Sequence, residues 1–253
     1  SRTGALNKMT DHPTSIARGR EPTRATSDRG FFLIMAIAIA LTVVVGFSVS
    51  FARPQTAFAS APWHVHLHAA VFSLWIALYL VQNALVTRGN FGLHRTLGVF
   101  GAGWVLVMVA VGIHTTVMAL VLHRVPPFFP PGVFLVLDVA GVLTFAALTL
   151  AAVALRRDAA WHKRLMLCGT IMVMSPALGR LLPMPLLGPW ASWAVSGTML
   201  LYVLVAVLYD RATRGKVHPA YAWGTGAIIL TQLLIAGLGF APPILALAAR
   251  LQG

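Results

Sequence analysis

The chain has 253 residues, of which 58% are hydrophobic and only 10% are charged. Soluble domains carry about a quarter charged residues, so this composition excludes an ordinary soluble domain and requires lipid to cover the surplus apolar surface. The formal charge of +13 does not indicate a nucleic-acid partner, because the basic residues fill the gaps between apolar runs instead of forming a stripe.

The first 30 residues differ in composition from the rest of the chain. They are polar and rich in Arg, Pro, Thr and Ser, which predicts a mostly disordered cytoplasmic tail over residues 1–30. Residues 31–250 are dominated by apolar runs and predict an all-α integral membrane bundle. The lipid bilayer is therefore the expected partner.

Seven apolar stretches follow the tail, each close to the ~20 residues that cross a hydrocarbon core. They predict about seven transmembrane helices, over residues 31–51, 64–87, 98–122, 132–155, 165–182, 190–209 and 222–245.

The distribution of basic residues predicts the orientation of these helices. Most of the 19 Lys and Arg residues lie in the tail and in alternate gaps between the apolar stretches. Cytoplasmic loops are enriched in Lys and Arg, so the pattern places the N-terminus in the cytoplasm. The expected location is the inner (cytoplasmic) membrane.

A weak internal repeat marks three of the helix starts. Residues 93–97 read LHRTL, residues 161–165 read WHKRL, and residues 217–219 read VHP. The repeat predicts one anchor helix followed by three helical hairpins, each with a histidine at the inner end of its second helix.

Four residues are predicted at a common depth near the outer face. His64 and His68 begin the second helix four positions apart, His114 lies near the outer end of the third, and Asp138 lies at similar depth in the fourth. Imidazoles and a carboxylate from three helices suit Zn, Cu or Fe, and imidazoles alone suit haem b. The alternatives are an Asp138–Arg180 ion pair, interfacial histidines and a proton relay.

Three further histidines lie near the inner face. His94, His162 and His218 could bind a haem, a quinone headgroup or a phosphate, or act as interfacial anchors beside basic residues. Histidines at both ends of the third helix, His94 and His114, are typical of electron-transfer helices that carry two haems. Their separation in sequence is longer than in ferric-reductase-type helices, which argues against that group.

The helix-entry strings resemble those of a family of bacterial predicted multi-pass membrane proteins of unknown function. The similarity covers roughly residues 60 to 230 and includes the outer His68 followed by Trp75 and Gln82 in the second helix. It implies the helical bundle and no activity. A looser similarity links the histidine-bearing bundle to b-type cytochromes, and a weaker one to seven-helix zinc hydrolases.

Three functional hypotheses remain open from the sequence. The leading one is a membrane-embedded metal or haem protein, redox-active and engaged in electron transfer, with His68, His114 and Asp138 at the outer site and His64 assisting. The histidines would be ligands, and Asp138 either a ligand or the group that fixes the tautomer of a histidine ring. The second is a metal-dependent lipid hydrolase that uses a metal-activated water. The third is a non-catalytic subunit of a larger membrane complex, with other membrane subunits as partners.

Overall fold

The computed structural model describes residues 24–51 and 60–253, and over these ranges the secondary structure is helical. The helices are α1 (Arg24–Phe51), α2 (Trp63–Thr87), α3 (Phe91–Val121), α4 (Pro131–Ala154), α5 (Ala159–Met172), α6 (Ser175–Leu181), α7 (Met184–Leu187), α8 (Ala191–Arg214), α9 (Ala220–Leu238) and α10 (Pro242–Gln252). The predicted all-α class is confirmed. The predicted tail falls mainly on residues outside the described ranges, and residues 24–30 belong to α1.

Six helical segments are long and apolar enough to cross a membrane, which makes this a multi-pass membrane protein. They are Asp28–Val49, Trp63–Thr87, Phe91–Val121, Pro131–Ala154, Met184–Arg214 and Ala220–Leu238. Large apolar side chains such as Val99 and Leu186 are 77% and 86% exposed. A surface of this kind is stable only against lipid.

The fifth apolar stretch, predicted as one helix over residues 165–182, is interrupted. α5 ends at Met172, and α6 begins at Ser175 with a proline at its second position. The ring of Pro176 would collide with the carbonyl four residues earlier and cannot donate a hydrogen bond. That carbonyl belongs to Met172, so the proline explains where the helix breaks.

α5 lies at the centre of the bundle and is buried along most of its length. Glycines let its neighbours approach closely. A Cβ added to Gly169 would lie 2.6 Å from Thr149 Oγ1 of α4, and one added to Gly224 of α9 would overlap the Cys168 side chain. Small residues at such contacts are the usual basis of helix packing in membranes, where lipid removes the hydrophobic drive.

Two further boundaries differ from the sequence prediction. α8 continues past residue 209 to Arg214 and ends at Gly215, which adopts a left-handed conformation (φ 71°). The last predicted stretch, 222–245, is divided into α9 and α10, and α10 begins with two prolines at Pro242 and Pro243. The extension of α8 places Asp210 inside a helix.

The bundle has two ends, which we define by the helix termini found there. The basic end holds the start of α1 and the turns 88–90, 155–158 and 215–219, and there Thr87 Oγ1 of α2 donates to the Arg29 carbonyl of α1 (3.4 Å). The opposite end holds the start of α2 and segments 122–130, 182–190 and 239–241. There the Arg180 guanidinium lies 4.3 Å from the centroid of the Phe47 ring of α1.

Candidate functional site: two histidine pairs

A pair of histidines lies at the basic end, between the first turns of α3 and α5. The ring centroids of His94 and His162 are 6.3 Å apart with the rings at 84°. Both helix starts are capped, because Asn90 Oδ1 accepts from Leu93 N (3.2 Å) and Asp158 Oδ1 accepts from Ala160 N (2.8 Å). Such caps fix the first turn of a helix, and here they hold both rings in place.

Hydrogen bonds orient one of these two rings. Nδ1 of His162 lies 2.8 Å from the Ala152 carbonyl oxygen of α4. A carbonyl can only accept, so Nδ1 carries a proton, and in the neutral ring Nε2 is the nitrogen with the lone pair. This arrangement is the one that metal-ligating histidines use to fix their tautomer.

The second ring of the pair has an unused polar atom. His94 Nδ1 is buried and has no hydrogen-bond partner among the described residues, and neither has Gln82 Oε1. The Gln82 side chain contacts the backbone of His94, since Gln82 Nε2 donates to the His94 carbonyl (3.2 Å). A buried polar atom without a partner costs about 1–3 kcal/mol, so a hydrogen-bond partner for either atom would be stabilising.

His218, predicted to bind a cofactor with His94 and His162, lies apart from them. Its ring packs against Trp161 (centroids 5.2 Å apart), and its Nδ1 accepts from Ala220 N (3.2 Å). Its backbone N donates to Asp210 Oδ2 (3.3 Å). Burial, and secondarily the charge of Arg164, lower the pKa of His218. These contacts close the turn between α8 and α9.

A second histidine pair lies at the opposite end, between α2 and α3. The ring centroids of His64 and His114 are 6.0 Å apart, with the rings at 89°. Trp63 packs beside His114 (5.9 Å between centroids). His64 is buried whereas His114 is exposed, so this pair sits at the edge of the bundle.

The other two residues of the predicted outer site do not join that pair. His68 stacks on Phe72 (4.2 Å between centroids), and Asp138 Oδ2 accepts from Thr116 Oγ1 (3.3 Å). The charge of Arg180 lies within electrostatic range of His68 and Asp138. Its guanidinium donates to the Pro176 carbonyl (2.7 Å). Within residues 24–51 and 60–253, no three His, Cys, Asp or Glu side chains form a group that could hold a metal ion.

A buried ion pair next to the basic-end histidines was missed by the sequence analysis. Arg164 Nε and Nη2 donate to the two carboxylate oxygens of Asp210 at 2.9 and 2.5 Å, and the side chains are 0% and 1% exposed. Arg214 adds a longer contact to the same carboxylate (3.5 Å). The predicted span ended at residue 209, so Asp210 fell one position outside it. An aspartate one position beyond an apolar run was the available signal.

The same end of the bundle ties α1 to the core. Asp28 of α1 accepts from Lys163 of α5 (2.7 Å) and from Arg214 of α8. One carboxylate near the start of α1 therefore joins three helices. With the Arg164–Asp210 pair, it completes what we call the charged network: Asp28, Lys163, Arg164, Asp210 and Arg214.

The basic-end pair supplies two imidazoles, the number of donors that a haem iron takes from a protein in bis-histidine sites. Two imidazoles bound at about 2.0 Å on opposite sides of one metal place their ring centroids roughly 6 Å apart. Haem supplies four nitrogens of its own and needs two from the protein, whereas an isolated zinc ion takes three or four protein ligands. An exposed arginine, Arg95, lies within electrostatic range of His94 and offers a partner for a haem carboxylate.

Comparison with known proteins adds no assignment. No family model, curated protein or solved structure matches this chain.

Proposed function

We propose that this protein is a membrane electron-transfer protein that binds one haem b between His94 and His162. The observation that carries the proposal is the pair itself: two imidazoles with ring centroids 6.3 Å apart, one of them oriented by a carbonyl. Bound haem would supply a reversible one-electron centre, as in other bis-histidine cytochromes.

The chain's own residues have separate roles in this proposal. His94 and His162 would hold the haem iron, and the Ala152 carbonyl holds the His162 ring with Nε2 free to bind. Gln82 Oε1 and His94 Nδ1 are both buried without a partner, and a hydrogen bond formed between them on haem binding would fix the His94 ring in the same way. Arg95 lies at the surface, where it would neutralise the charge of a haem carboxylate.

The proposal includes a topology. α5 and α6 together act as a seventh, broken crossing, because α5 begins beside Asp28 at the start of α1 and α6 reaches Phe47 near its end. The basic end then faces the cytoplasm, in accord with the excess of Lys and Arg in cytoplasmic loops. The location that follows is the cytoplasmic membrane, with the haem near its inner face.

Haem content of variants tests the assignment. The protein is to be purified in mild detergent after expression with added haem precursor, and haem per chain measured by extraction and absorption. We expect one haem per chain in the wild type and less than about a tenth of that in His94→Ala and in His162→Ala. Each variant removes one of the two axial bonds that hold the iron.

The matched control is His218→Ala. His218 belongs to the same sequence repeat and the same end of the bundle, but packs against Trp161 away from the pair. This variant should keep its haem. Equal haem in His162→Ala and wild type, or loss of haem in His218→Ala alone, would contradict the assignment. A folded wild type that takes up no haem would favour a non-catalytic subunit.

A further inference from the structure

A cavity of about 590 Å³ opens at the opposite end of the bundle. It lies between segment 127–131, the start of α8 and the end of α9. Its walls are mainly apolar, and none of the described side chains that line it is charged; they include Phe128, Phe129, Val133, Trp193, Ile235 and Phe240. Its volume lies within the usual range for small-molecule sites.

A second, smaller cavity shares part of its wall with this one. This water-sized cavity of about 20 Å³ shares Ser192 and Ile235 with the first and is lined by Ser175, Ser196 and Thr231. The wall of the large cavity is therefore mainly apolar, with the neutral hydroxyl group of Ser192 where the second cavity adjoins it. A molecule that fits it is apolar along its length and carries an uncharged polar group at one end.

A chain of hydrogen bonds ends at the junction of the two cavities. Ser196 Oγ donates to Gln232 Oε1 (2.7 Å), and Gln232 Nε2 donates to Ser192 Oγ (3.2 Å). Ser192 is only 8% exposed, and its own hydroxyl proton has no acceptor recorded among the described residues. Ser192 thus offers a buried donor to whatever occupies the cavity.

We propose that this cavity binds a membrane quinone, with a ring carbonyl accepting the hydrogen bond of Ser192. A quinone is neutral, dissolves in the bilayer and ends in carbonyl acceptors, which matches the uncharged walls and the spare donor. A phospholipid headgroup is a poor fit, since its charges would meet no counter-charge there. This inference goes beyond the proposed electron-transfer function, because the cavity lies at the end of the bundle opposite His94 and His162 and quinone binding there is independent of haem.

Binding of a decyl-substituted benzoquinone tests the proposal. Titration calorimetry on the full chain in lipid nanodiscs, with empty nanodiscs as the blank, measures saturable binding. Ser192→Ala should weaken binding about 3- to 10-fold, the value of one neutral hydrogen bond. Ala236→Trp should weaken it more than 10-fold, because this exposed residue lines the cavity and can fill it without disturbing the core.

Two controls make the result specific. Leu233→Trp, on the lipid-exposed surface of the same helix and outside the cavity lining, should bind the quinone as the wild type does. Decylbenzene, which lacks carbonyls, should bind to the wild type more weakly than the quinone does. It should bind to Ser192→Ala as tightly as it binds to the wild type. Unchanged quinone binding in both cavity variants, or equal binding of decylbenzene and quinone to the wild type, would overturn the proposal.

Haem measured on the same samples separates the two hypotheses. Ser192-dependent quinone binding without haem would support the cavity assignment and contradict the electron-transfer function. Haem without saturable quinone binding would support the electron-transfer function and contradict the cavity assignment.

Discussion

The two histidine pairs have nearly the same internal geometry and very different surroundings. Their ring centroids are 6.3 Å apart for His94–His162 and 6.0 Å for His64–His114, with nearly perpendicular rings in both. The basic-end pair is oriented by a carbonyl and lies beside an unpartnered glutamine oxygen. In the opposite-end pair His114 is exposed, and its neighbour is the exposed Trp63.

The difference teaches that the distance between two imidazoles is a weak sign of a ligand site by itself. What distinguishes the basic-end pair is the support around it. His162 directly precedes Lys163 and Arg164, so the charged network anchors the helix turn that carries this proposed haem ligand. Sites of this kind depend on the contacts that orient the ligands as much as on the ligands themselves.

The largest effect is expected from breaking that anchor with Asp210→Ala. The change leaves the fully buried guanidinium of Arg164 without its partner, which costs about 3–5 kcal/mol. Thermal unfolding in detergent should show the loss as a strongly lowered midpoint, and haem should be released with it. The double variant Arg164→Met, Asp210→Leu should recover most of the loss, because no charge is then left buried.

Asp158→Ala serves as the control for that series. It removes an exposed carboxylate that caps the same helix, worth about 1 kcal/mol. An Asp210→Ala midpoint no lower than that of Asp158→Ala would mean that the ion pair does not anchor α5.

A smaller effect is expected from Gln82→Leu. The substitution removes the acceptor offered to His94 Nδ1, and loss of such a contact usually weakens cofactor binding about 10- to 100-fold. Haem transfer to apomyoglobin measures this affinity. Asn83→Leu is the matched control, because Asn83 bonds only its own helix at the Tyr79 carbonyl (2.9 Å). Equal haem retention in both variants would remove Gln82 from the site.

A weaker, pH-dependent effect is expected at His218. The pKa of this residue is lowered in the folded protein by burial and the charge of Arg164, despite the opposing charges of Asp210 and Asp158. The unfolded chain therefore binds a proton more readily, and stability falls as pH drops below about 6.5. His218→Asn keeps a side-chain acceptor and should show a flatter dependence of the unfolding midpoint between pH 7.5 and 5. If the unfolding midpoint of His218→Asn depends on pH as steeply as that of the wild type, His218 is not the source of the pH dependence.

The smallest effect is expected at the opposite-end pair. His114→Ala should leave haem per chain and its absorption spectrum unchanged, because the pair has no oriented ring and one exposed member. Loss of haem in this variant, with haem retained in His162→Ala, would exchange the roles of the two pairs.

The helical membrane class could be predicted from hydropathy because burial in lipid demands long apolar runs. The interruption of the fifth stretch could not be predicted from hydropathy. The run remains apolar through Pro176, and hydropathy does not detect that a proline lacks a backbone donor. Asp210 was excluded from a span by one residue. The proposed count of seven crossings and the cytoplasmic N-terminus still rest on the distribution of Lys and Arg.

For the candidate site, the position of each residue along its helix could be predicted, but not the face of the helix on which it lies. The common level of His64 and His114, and of His94 and His162, follows from counting residues along helices at 1.5 Å each. Which face of a helix meets its neighbour depends on packing, for example at Gly169 and Gly224 around α5. For this reason Asp138 and His218 were grouped with histidines that they do not join.

The most direct test of the account is the absorption spectrum of the purified wild-type protein, with haem and metals quantified on the same sample. The account predicts one haem b per chain, with the sharp reduced-state bands of low-spin iron held by two histidines. Folded protein without haem, or with stoichiometric zinc or copper in its place, would contradict it.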